Sequence, residues 1–228
     1  MKPTRVAILA SGSGSTAEAF VRETQRRGYA LDIRLIISNN PDAFVLERAK
    51  NLNAELGLSM ETAVINSHTQ PAAKPIVHGE QTEEEQAALL SLLRKHDIDL
   101  VLLLGYMKRV GQSLLDAYGW LPAYTSVYQA RMLNTHPGLL PQTIGTHGRG
   151  TQQFTLEKGM PEGGQTLHVV AAEYDTGPTV AEHRVPVEAN DTPDTLFARV
   201  QTVEKAHIAR DVVTFVEARR EYRSQHKT

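Results

Sequence analysis

Short apolar segments alternate with helical patterns through the first half of the chain. The segment at 6–10 is continuously apolar, and those at 33–37 and 98–104 are apolar except for Arg34 and Asp99, as in strands that are buried on both faces of a sheet. The first two are followed by small polar turn residues and then by apolar positions spaced as on one face of a helix. Since parallel strands are joined by crossover helices, this alternation predicts an α/β fold with a mostly parallel central sheet flanked by helices.

The second half of the chain predicts three further strands and a long closing helix. We expect strands at 132–136, 166–171 and 179–187, the last two forming an antiparallel pair at an edge of the sheet. The closing helix opens at Asp191-Thr192-Pro193, where a capping hydroxyl precedes a proline at the first helical position. The sheet is therefore expected to be mixed.

The chain shows no internal boundary. No repeat, linker or low-complexity segment interrupts it, so we predict a single domain over residues 1–228. The segment 111–130 lacks clear periodicity, and we predict a short helix at 112–118 followed by a loop. A glycine- and proline-containing turn is predicted at 159–164, and the charged segment 219–228 is predicted to be a frayed, solvated end.

Composition and charge narrow the range of partners. The chain has 228 residues, a formal net charge of −2 and no cysteine. A nearly neutral chain presents no general basic surface, so we expect small-molecule substrates and neither nucleic acid nor a membrane as partners. The lack of cysteine excludes a disulfide framework, a thiolate nucleophile and a cysteine zinc site. Because no long apolar run or signal-peptide pattern occurs, we expect a cytoplasmic protein. We also expect the protein to be either a monomer or a homodimer.

The segment 11–17, between the first strand and the first helix, has G-x-G-x-x-A spacing. Such glycines let backbone N–H groups approach a phosphate at a helix N-terminus. A dinucleotide site also requires an acid after the second strand, where residues 38–40 read Ser-Asn-Asn. The serines of the segment favour a single phosphate, and the alternatives are a purely structural turn and a dinucleotide site.

Asn134 and His136 are two residues apart in the strand predicted at 132–136, so their side chains point to the same face. Pro137 ends that strand and places His136 at its carboxyl end, where open α/β sheets bind ligands. Asp175 lies in a neighbouring loop, and a carboxylate near an imidazole favours the cation. A protonated histidine and an amide facing one point would stabilise the oxyanion of an acyl transfer in which the substrate's own amine attacks. The alternative is a buried polar pair that satisfies loop backbone.

Three further side chains are candidates for the same pocket, and none is a candidate metal ligand. The histidines show no spacing typical of a metal site, so we predict that the protein has no metal site. His168, on the strand that leads to Asp175, is expected to line the pocket or, alternatively, to be a satisfied strand histidine. Gln201 and Glu204 share a face of the closing helix, where Glu204 is a candidate for binding a cationic amine. An ordinary solvated helix face is the alternative.

Five short motifs follow one another in a recognisable order. They are Ser11-Gly12-Ser13-Gly14-Ser15, Gly105-Tyr106-Met107-Lys108, Asn134-Thr135-His136-Pro137, Asp175-Thr176-Gly177-Pro178 and Arg199-Val200-Gln201-Thr202-Val203-Glu204. On these motifs the chain resembles the glycinamide ribonucleotide formyltransferases of the folate-dependent formyltransferase superfamily. The Asn-x-His-Pro segment and the aspartate loop are specific to the superfamily, and the phosphate loop and Gln-x-x-Glu segment narrow the resemblance to this family.

The resemblance implies a Rossmann-like formyltransferase fold and an enzyme of purine biosynthesis. Such an enzyme transfers a formyl group from N10-formyltetrahydrofolate to the amine of glycinamide ribonucleotide. The implied catalytic residues are Asn134 and His136, which stabilise the oxyanion, and Asp175, which raises the pKa of His136 so that it donates a proton. The implied ribonucleotide-binding residues are Gly14, Ser15, Thr16, Gln201 and Glu204. The implied folate-binding residues are Met107, Lys108, Arg109, Val110, Ala171, Ala172, Glu173 and Tyr174.

The chain departs from the family pattern at the phosphate loop and at the folate edge. Thr16 stands where the family usually has asparagine, and Lys108 stands where it has arginine. Residues 81–83 read Gln-Thr-Glu where an arginine is usual, and the loop 141–146 also differs. The alternative functions are a formyltetrahydrofolate hydrolase, a sugar-nucleotide N-formyltransferase, and a folate- or phosphate-binding relative without turnover.

Overall fold

Seven strands form one sheet at the centre of the computed structural model, which describes residues 2–226. The strands are β1 (Thr4–Leu9), β2 (Leu31–Ser38), β3 (Glu61–Val64), β4 (Leu100–Leu103), β5 (Met132–His136), β6 (Glu162–Val169) and β7 (Thr179–Pro186). The helices are α1 (Ser15–Arg27), α2 (Phe44–Leu56), α3 (Glu83–Lys95), α4 (Gln112–Tyr118), α5 (Arg149–Glu157) and α6 (Pro193–Gln225). The strand order is β3-β2-β1-β4-β5-β6-β7, in which β1 to β5 are parallel and β6 is antiparallel to both of its neighbours. The predicted mixed α/β fold is confirmed.

Helices cover both faces of the sheet, which explains why residues 6–9 of β1 are all apolar. Val6 and Ile8 pack into a core with α1, α2 and α6, whereas Ala7 and Leu9 pack into a second core with α3 and α4. Because successive strand residues point to opposite faces, a strand covered on both sides needs an unbroken apolar run. No helix within the described residues combines the length and apolarity needed to cross a membrane.

Local sequence signals set several element boundaries. Helix α3 begins with a capping box, in which Glu85 N–H donates to Thr82 Oγ1 and Thr82 N–H donates to Glu85 Oε2, both at 3.2 Å. Such a box satisfies two backbone donors that have no partner within the helix. Helix α4 and strand β5 have the bounds that the sequence predicted.

Strand β6 begins earlier than predicted, inside the expected turn at 159–164. Gly163 and Gly164 pair with Val185 and Arg184 of β7. A Cβ atom at Gly164 would lie 2.4 Å from the carbonyl oxygen of His183, so glycine permits the strands to approach here. The glycines are therefore strand residues at a close backbone approach, whereas the sequence suggested a turn.

Helix α6 also extends further than predicted, through most of the segment expected to fray. It continues to Gln225, and Arg219 Nε donates a 3.2 Å hydrogen bond to the carbonyl oxygen of Ala130. Side-chain contacts to the body of the protein thus hold a charged helical end that composition alone marked as solvated. Residues 227 and 228 of the expected frayed end lie outside the described residues.

Candidate active site

A cavity of about 600 Å³ opens at the carboxyl ends of the parallel strands. The loops that follow β1, β4 and β5 line it, together with the loop between β6 and β7 and one face of α6. This is the edge of an open α/β sheet at which ligands bind. Ten of the residues proposed from the sequence line this cavity: Gly14, Ser15, Thr16, Met107, Asn134, His136, Tyr174, Asp175, Gln201 and Glu204.

The N-terminus of α1 forms one part of the cavity wall. Its N-cap, Gly14, has a φ of 70°, and a Cβ atom at this position would lie 2.4 Å from Val45 Cγ2, so glycine is required. No side chain among the described residues caps α1, and Ser15 and Thr16 line the cavity with its first turn. First-turn N–H groups and the helix dipole together attract an anion. The geometry therefore suits the phosphate predicted for segment 11–17.

Glu204 is a buried carboxylate held by two hydroxyl groups. Thr135 Oγ1 donates to Glu204 Oε1 at 2.7 Å, and Thr16 Oγ1 donates to Glu204 Oε2 at 3.1 Å. Gln165 Nε2 in turn donates to Thr135 Oγ1 at 2.9 Å. Burial raises the pKa of Glu204, and the two hydroxyl bonds oppose that shift. The hydroxyl of Thr16 is thus bonded within the protein, which leaves its backbone N–H as the group available to a phosphate.

Asn134 and His168 form a hydrogen-bonded pair across strands β5 and β6. His168 Nδ1 lies 3.0 Å from its neighbour's carbonyl oxygen, Val169 O, and so carries a proton that it donates to that oxygen. In the neutral ring, His168 Nε2 then accepts a 3.0 Å hydrogen bond from Asn134 Nδ2. Asn134 lines the cavity, and its amide nitrogen keeps a second N–H that this bond does not use. His168 does not itself line the cavity, but it contacts two residues that do, Asn134 and Asp175.

His136 has different partners on its two ring nitrogens. Its Nε2 lies 2.9 Å from Thr143 Oγ1, whose own hydrogen is donated to Leu139 O at 3.0 Å. Nε2 is therefore the donor in the neutral ring, and Nδ1 is left as an acceptor beside Asp175 Oδ2 at 3.4 Å. Gly138 permits this arrangement, because a Cβ atom there would lie 2.3 Å from Thr143 Oγ1 and 2.9 Å from His136 Nε2.

Two effects of opposite sign act on the pKa of His136, for which the sequence predicted the protonated state. Burial lowers the pKa of His136 below its usual value, and the attraction of the Asp175 carboxylate opposes that shift only in part. The sequence indicated the effect of Asp175 correctly in sign but not the burial of the ring, which is 3% exposed. The direction of this shift favours the neutral imidazole, with an unprotonated nitrogen next to a carboxylate.

Asp175 reaches both histidines from a strained loop position. Its φ of 56° lies in the left-handed region, which aspartate tolerates better than most residues. Its two oxygens lie 3.4 Å from His136 Nδ1 and 3.5 Å from His168 Nε2, and its side chain is 11% exposed. A positive charge that develops on either ring would be stabilised by this carboxylate.

The residues expected at the folate edge separate into groups. Met107 and Tyr174 line the main cavity, whereas Arg109, Val110 and Ala172 line a second cavity of about 250 Å³. Arg109 links the two contributing segments, since its Nη2 donates to Ala172 O at 2.9 Å and its guanidinium lies 5.9 Å from the centre of the Tyr174 ring. The remaining three expected residues line neither of these two cavities; they are Lys108, Ala171 and Glu173.

The side chain of Lys108 is turned away from the expected folate site. Lys108 Nζ lies 2.5 and 2.7 Å from the two carboxylate oxygens of Glu85, which is the capping residue of α3. Both side chains are largely buried, 14% and 1% exposed. The prediction that this ammonium takes the place of a folate-binding arginine is therefore not supported by its position.

The sequence did not assign two further parts of the cavity wall, the loop 145–148 and Phe197. The loop is marked by glycines at both ends, each with a positive φ. Phe197 precedes Gln201 by four residues on α6, a spacing that places both on one helix face and offered a signal. Among residues 2–226, no three histidine, cysteine, aspartate or glutamate side chains converge as a metal ion would require.

Known proteins share both the sequence pattern and the fold. The formyl transferase family model matches residues 4–212. The chain is 32% identical to phosphoribosylglycinamide formyltransferase of Escherichia coli (strain K12) over 88% of this chain and 82% of that protein. It is 31% identical to the protein of the same name from Bacillus subtilis (strain 168) over 88% of each.

Solved structures agree with these sequence comparisons. Phosphoribosylglycinamide formyltransferase from Brucella melitensis superposes with a TM-score of 0.76 at 31% identity, over 94% of this chain and 96% of that chain. Glycinamide ribonucleotide transformylase 1 from Symbiobacterium toebii superposes with a TM-score of 0.77 at 29% identity, over 95% and 89%. The chain therefore belongs to the formyl transferase family and groups within it with the phosphoribosylglycinamide formyltransferases.

Proposed function

We propose that this protein transfers a formyl group from N10-formyltetrahydrofolate to the amine of glycinamide ribonucleotide. The observation that carries the proposal is the convergence of Asn134, His136 and Asp175 on one cavity that also contains the N-terminus of α1 and Glu204. A hydrogen-bond donor for an oxyanion (Asn134), a base (His136) and the carboxylate beside that base (Asp175) thus share one site. The same site holds a helix N-terminus suited to a phosphate and a carboxylate suited to an amine. The names of the relatives support the same reaction.

The acceptor substrate would be held at its two polar ends. The first-turn N–H groups of α1, at Ser15 and Thr16, bind its phosphate. Gln201 and Glu204 bind the ribonucleotide on the other side, with Glu204 near the amine. Because burial raises the pKa of Glu204, a cationic amine beside it would favour the ionised carboxylate and gain an ion pair.

The reaction requires no covalent enzyme intermediate. The ammonium form of the substrate first loses one proton to solvent, which leaves the neutral amine beside Glu204. As the nitrogen of this neutral amine forms its bond to the formyl carbon, the carbonyl oxygen becomes an oxyanion that accepts a hydrogen bond from Asn134. His136 Nδ1 takes the proton that the amine nitrogen loses, and Asp175 stabilises the imidazolium. When the bond from the formyl carbon to N10 of the folate breaks, His136 returns that proton to N10. Protons and charge are then balanced, and the imidazole is neutral again.

The folate would occupy the edge between the two cavities. Met107 and Tyr174, 56% and 54% exposed, provide apolar surface in the main cavity, and Val110 and Ala172 do so in the second. Arg109 fixes the two segments to each other through Ala172 O and the Tyr174 ring. Lys108 contributes to the folate site by holding the segment after β4 against Glu85 of α3, and its side chain does not contact the folate.

The activity is tested by following the absorbance of deformylated folate with and without glycinamide ribonucleotide. Release that depends on the ribonucleotide supports the transferase, whereas release without it would identify a hydrolase. Binding of both ligands by calorimetry without release would identify a relative that has lost turnover. A sugar-nucleotide amine that replaced the ribonucleotide with higher kcat/KM would identify the third alternative.

The roles of the residues are tested in the same assay. His136→Ala should lower kcat by at least about 100-fold, since general acid–base catalysis typically contributes that much. The matched control is His226→Ala, an exposed histidine that follows α6 outside the cavity. Full activity of His136→Ala would remove the proposed base from the mechanism.

A further inference from the structure

A third cavity, which is polar, lies at the opposite end of the sheet from the candidate active site. It has a volume of about 200 Å³ and is formed where β1 and β4 begin, against the last turns of α6. The length of β1, about 20 Å, separates it from the main cavity. We name this cavity the basic cleft, because it is lined by five cationic residues and one acid: Lys2, Arg5, Arg219, Arg220, Arg223 and Asp99.

Only part of this positive charge is balanced within the protein. Arg5 pairs with Asp97 at 2.8 Å and with Asp99 at 3.3 Å, so the one acid of the cleft is already engaged. Arg220 donates hydrogen bonds to Lys2 O and to Thr4 Oγ1. By contrast, no carboxylate within residues 2–226 lies at ion-pair distance from Arg219 or Arg223.

Arg219 presents unused donors to the cleft. A guanidinium carries five N–H donors, and Arg219 uses the one on Nε for the carbonyl oxygen of Ala130. Its Nη1 and Nη2 groups have no partner within the described part of the chain. Burial, together with the nearby charges of Arg223 and Arg131, lowers the pKa of Arg219 to about 10. The favourable dipole at a helix C-terminus accounts for cations in the last turn of α6, but not for unpaired donors directed into a cavity.

We propose that the basic cleft binds a small phosphate-bearing anion through Arg219 and Arg223. The planar fork of a guanidinium matches two phosphate oxygens, and an anion would supply both the missing hydrogen-bond acceptors and the missing charge. The volume accommodates a phosphate or diphosphate group, with the remainder of a larger ligand outside the cleft. The proposal does not depend on the formyl transfer reaction, since neither arginine lines the candidate active site.

The test must distinguish this site from the phosphate expected at the N-terminus of α1. Arginine Nε–Hε resonances of the full chain report each guanidinium separately, and Arg219→Gln identifies the signal of Arg219. We would titrate sodium phosphate, sodium pyrophosphate and adenosine monophosphate, with sodium chloride at matched ionic strength as the reference. A saturable shift of the Arg219 signal with phosphate or pyrophosphate is expected, and adenosine monophosphate tells whether a nucleoside-borne phosphate also binds.

Two variants make the result decisive. Arg223→Gln should weaken binding about tenfold, as expected for loss of a hydrogen bond between charged groups. Arg210→Gln is the matched control on the same helix, because Arg210 is 63% exposed and lies outside the cleft, and it should leave the affinity unchanged. The proposal is overturned if the Arg219 signal shifts equally with chloride, or if Arg223→Gln binds as tightly as the control variant.

Discussion

Thr135 Oγ1 lies 2.7 Å from Glu204 Oε1 and donates its hydrogen to that oxygen. Thr135 stands between Asn134 and His136 on β5, so successive residues of one strand serve the carboxylate of α6 and the proposed oxyanion site. The strand thereby fixes the distance between the group proposed to attract the amine and the group proposed to deprotonate it. A shift of Glu204 is therefore expected to weaken binding of the amine, and a shift of His136 is expected to slow the chemistry.

Replacing Thr135 by valine removes this hydrogen bond, together with the one that Thr135 accepts from Gln165 Nε2, and keeps the size of the side chain. We expect kcat/KM for the ribonucleotide to fall about tenfold or more, since a hydrogen bond to a charged group is worth about 1.5–3 kcal/mol. The loss should appear mainly in the KM for the ribonucleotide, with the KM for the folate unchanged. The control is Thr155→Val, a buried threonine whose hydroxyl donates to Thr151 O outside the cavity. Equal losses in the two variants would contradict a role for Thr135 in positioning Glu204.

The pH dependence of the rate follows from the neutral imidazole of His136. Because burial lowers its pKa below 6.5, kcat/KM should rise with pH through an acidic limb below that value and then level off. Asp175 favours the cation, so Asp175→Asn should lower the pKa of His136 further and move the limb to lower pH, while kcat falls. The pH–rate profile and a histidine NMR titration measure both shifts. An acidic limb that moved to higher pH in Asp175→Asn would show that the carboxylate does not stabilise the imidazolium.

The parts of the site that the sequence indicated are those encoded by local spacing. The alternation of β5 put Asn134 and His136 on one face, and the glycine spacing of segment 11–17 put a helix N-terminus beside a strand end. Such features need only neighbouring residues and the rule that ligands bind at the carboxyl ends of parallel strands. The mostly parallel sheet and its antiparallel edge followed from the same periodicities.

The parts that the sequence did not indicate depend on partners far apart in the chain. Thr16 and Glu204 are 188 residues apart, and Lys108 and Glu85 are 23 apart on different elements. Only tertiary packing decides whether such a hydroxyl or ammonium faces a ligand or a buried carboxylate. The direction of the pKa shift of His136 also depends on tertiary packing. The sequence offered Asp175 as a partner that raises this pKa, but it did not show the burial that lowers it more strongly.

The buried ion pair between Lys108 and Glu85 predicts a stability effect rather than a change of folate contacts. Lys108→Met leaves the carboxylate of Glu85 buried without its partner, and breaking such a pair costs about 3–5 kcal/mol. The double variant Lys108→Met with Glu85→Gln removes the charge as well, so it should recover much of the loss. Urea unfolding measures both changes. If Lys108→Met kept full stability and instead raised the KM for the folate tenfold, Lys108 would be a folate contact after all.

Gly138 is the position at which the smallest added side chain should disrupt the proposed base. A methyl group there would lie 2.3 Å from Thr143 Oγ1, 2.6 Å from Thr151 Cγ2 and 2.9 Å from His136 Nε2. We expect Gly138→Ala to lower the free energy of unfolding by about 1–3 kcal/mol, as overpacking does, and to lower kcat because the imidazole is displaced. Gly150→Ala in α5 is the control, since nothing lies within 4 Å of its Cβ, and it should be neutral or stabilising by up to about 1 kcal/mol. Urea unfolding and steady-state kinetics on both variants decide the matter, and unchanged kcat in Gly138→Ala would mean that the hydrogen bond from His136 Nε2 to Thr143 does not fix the orientation of the imidazole.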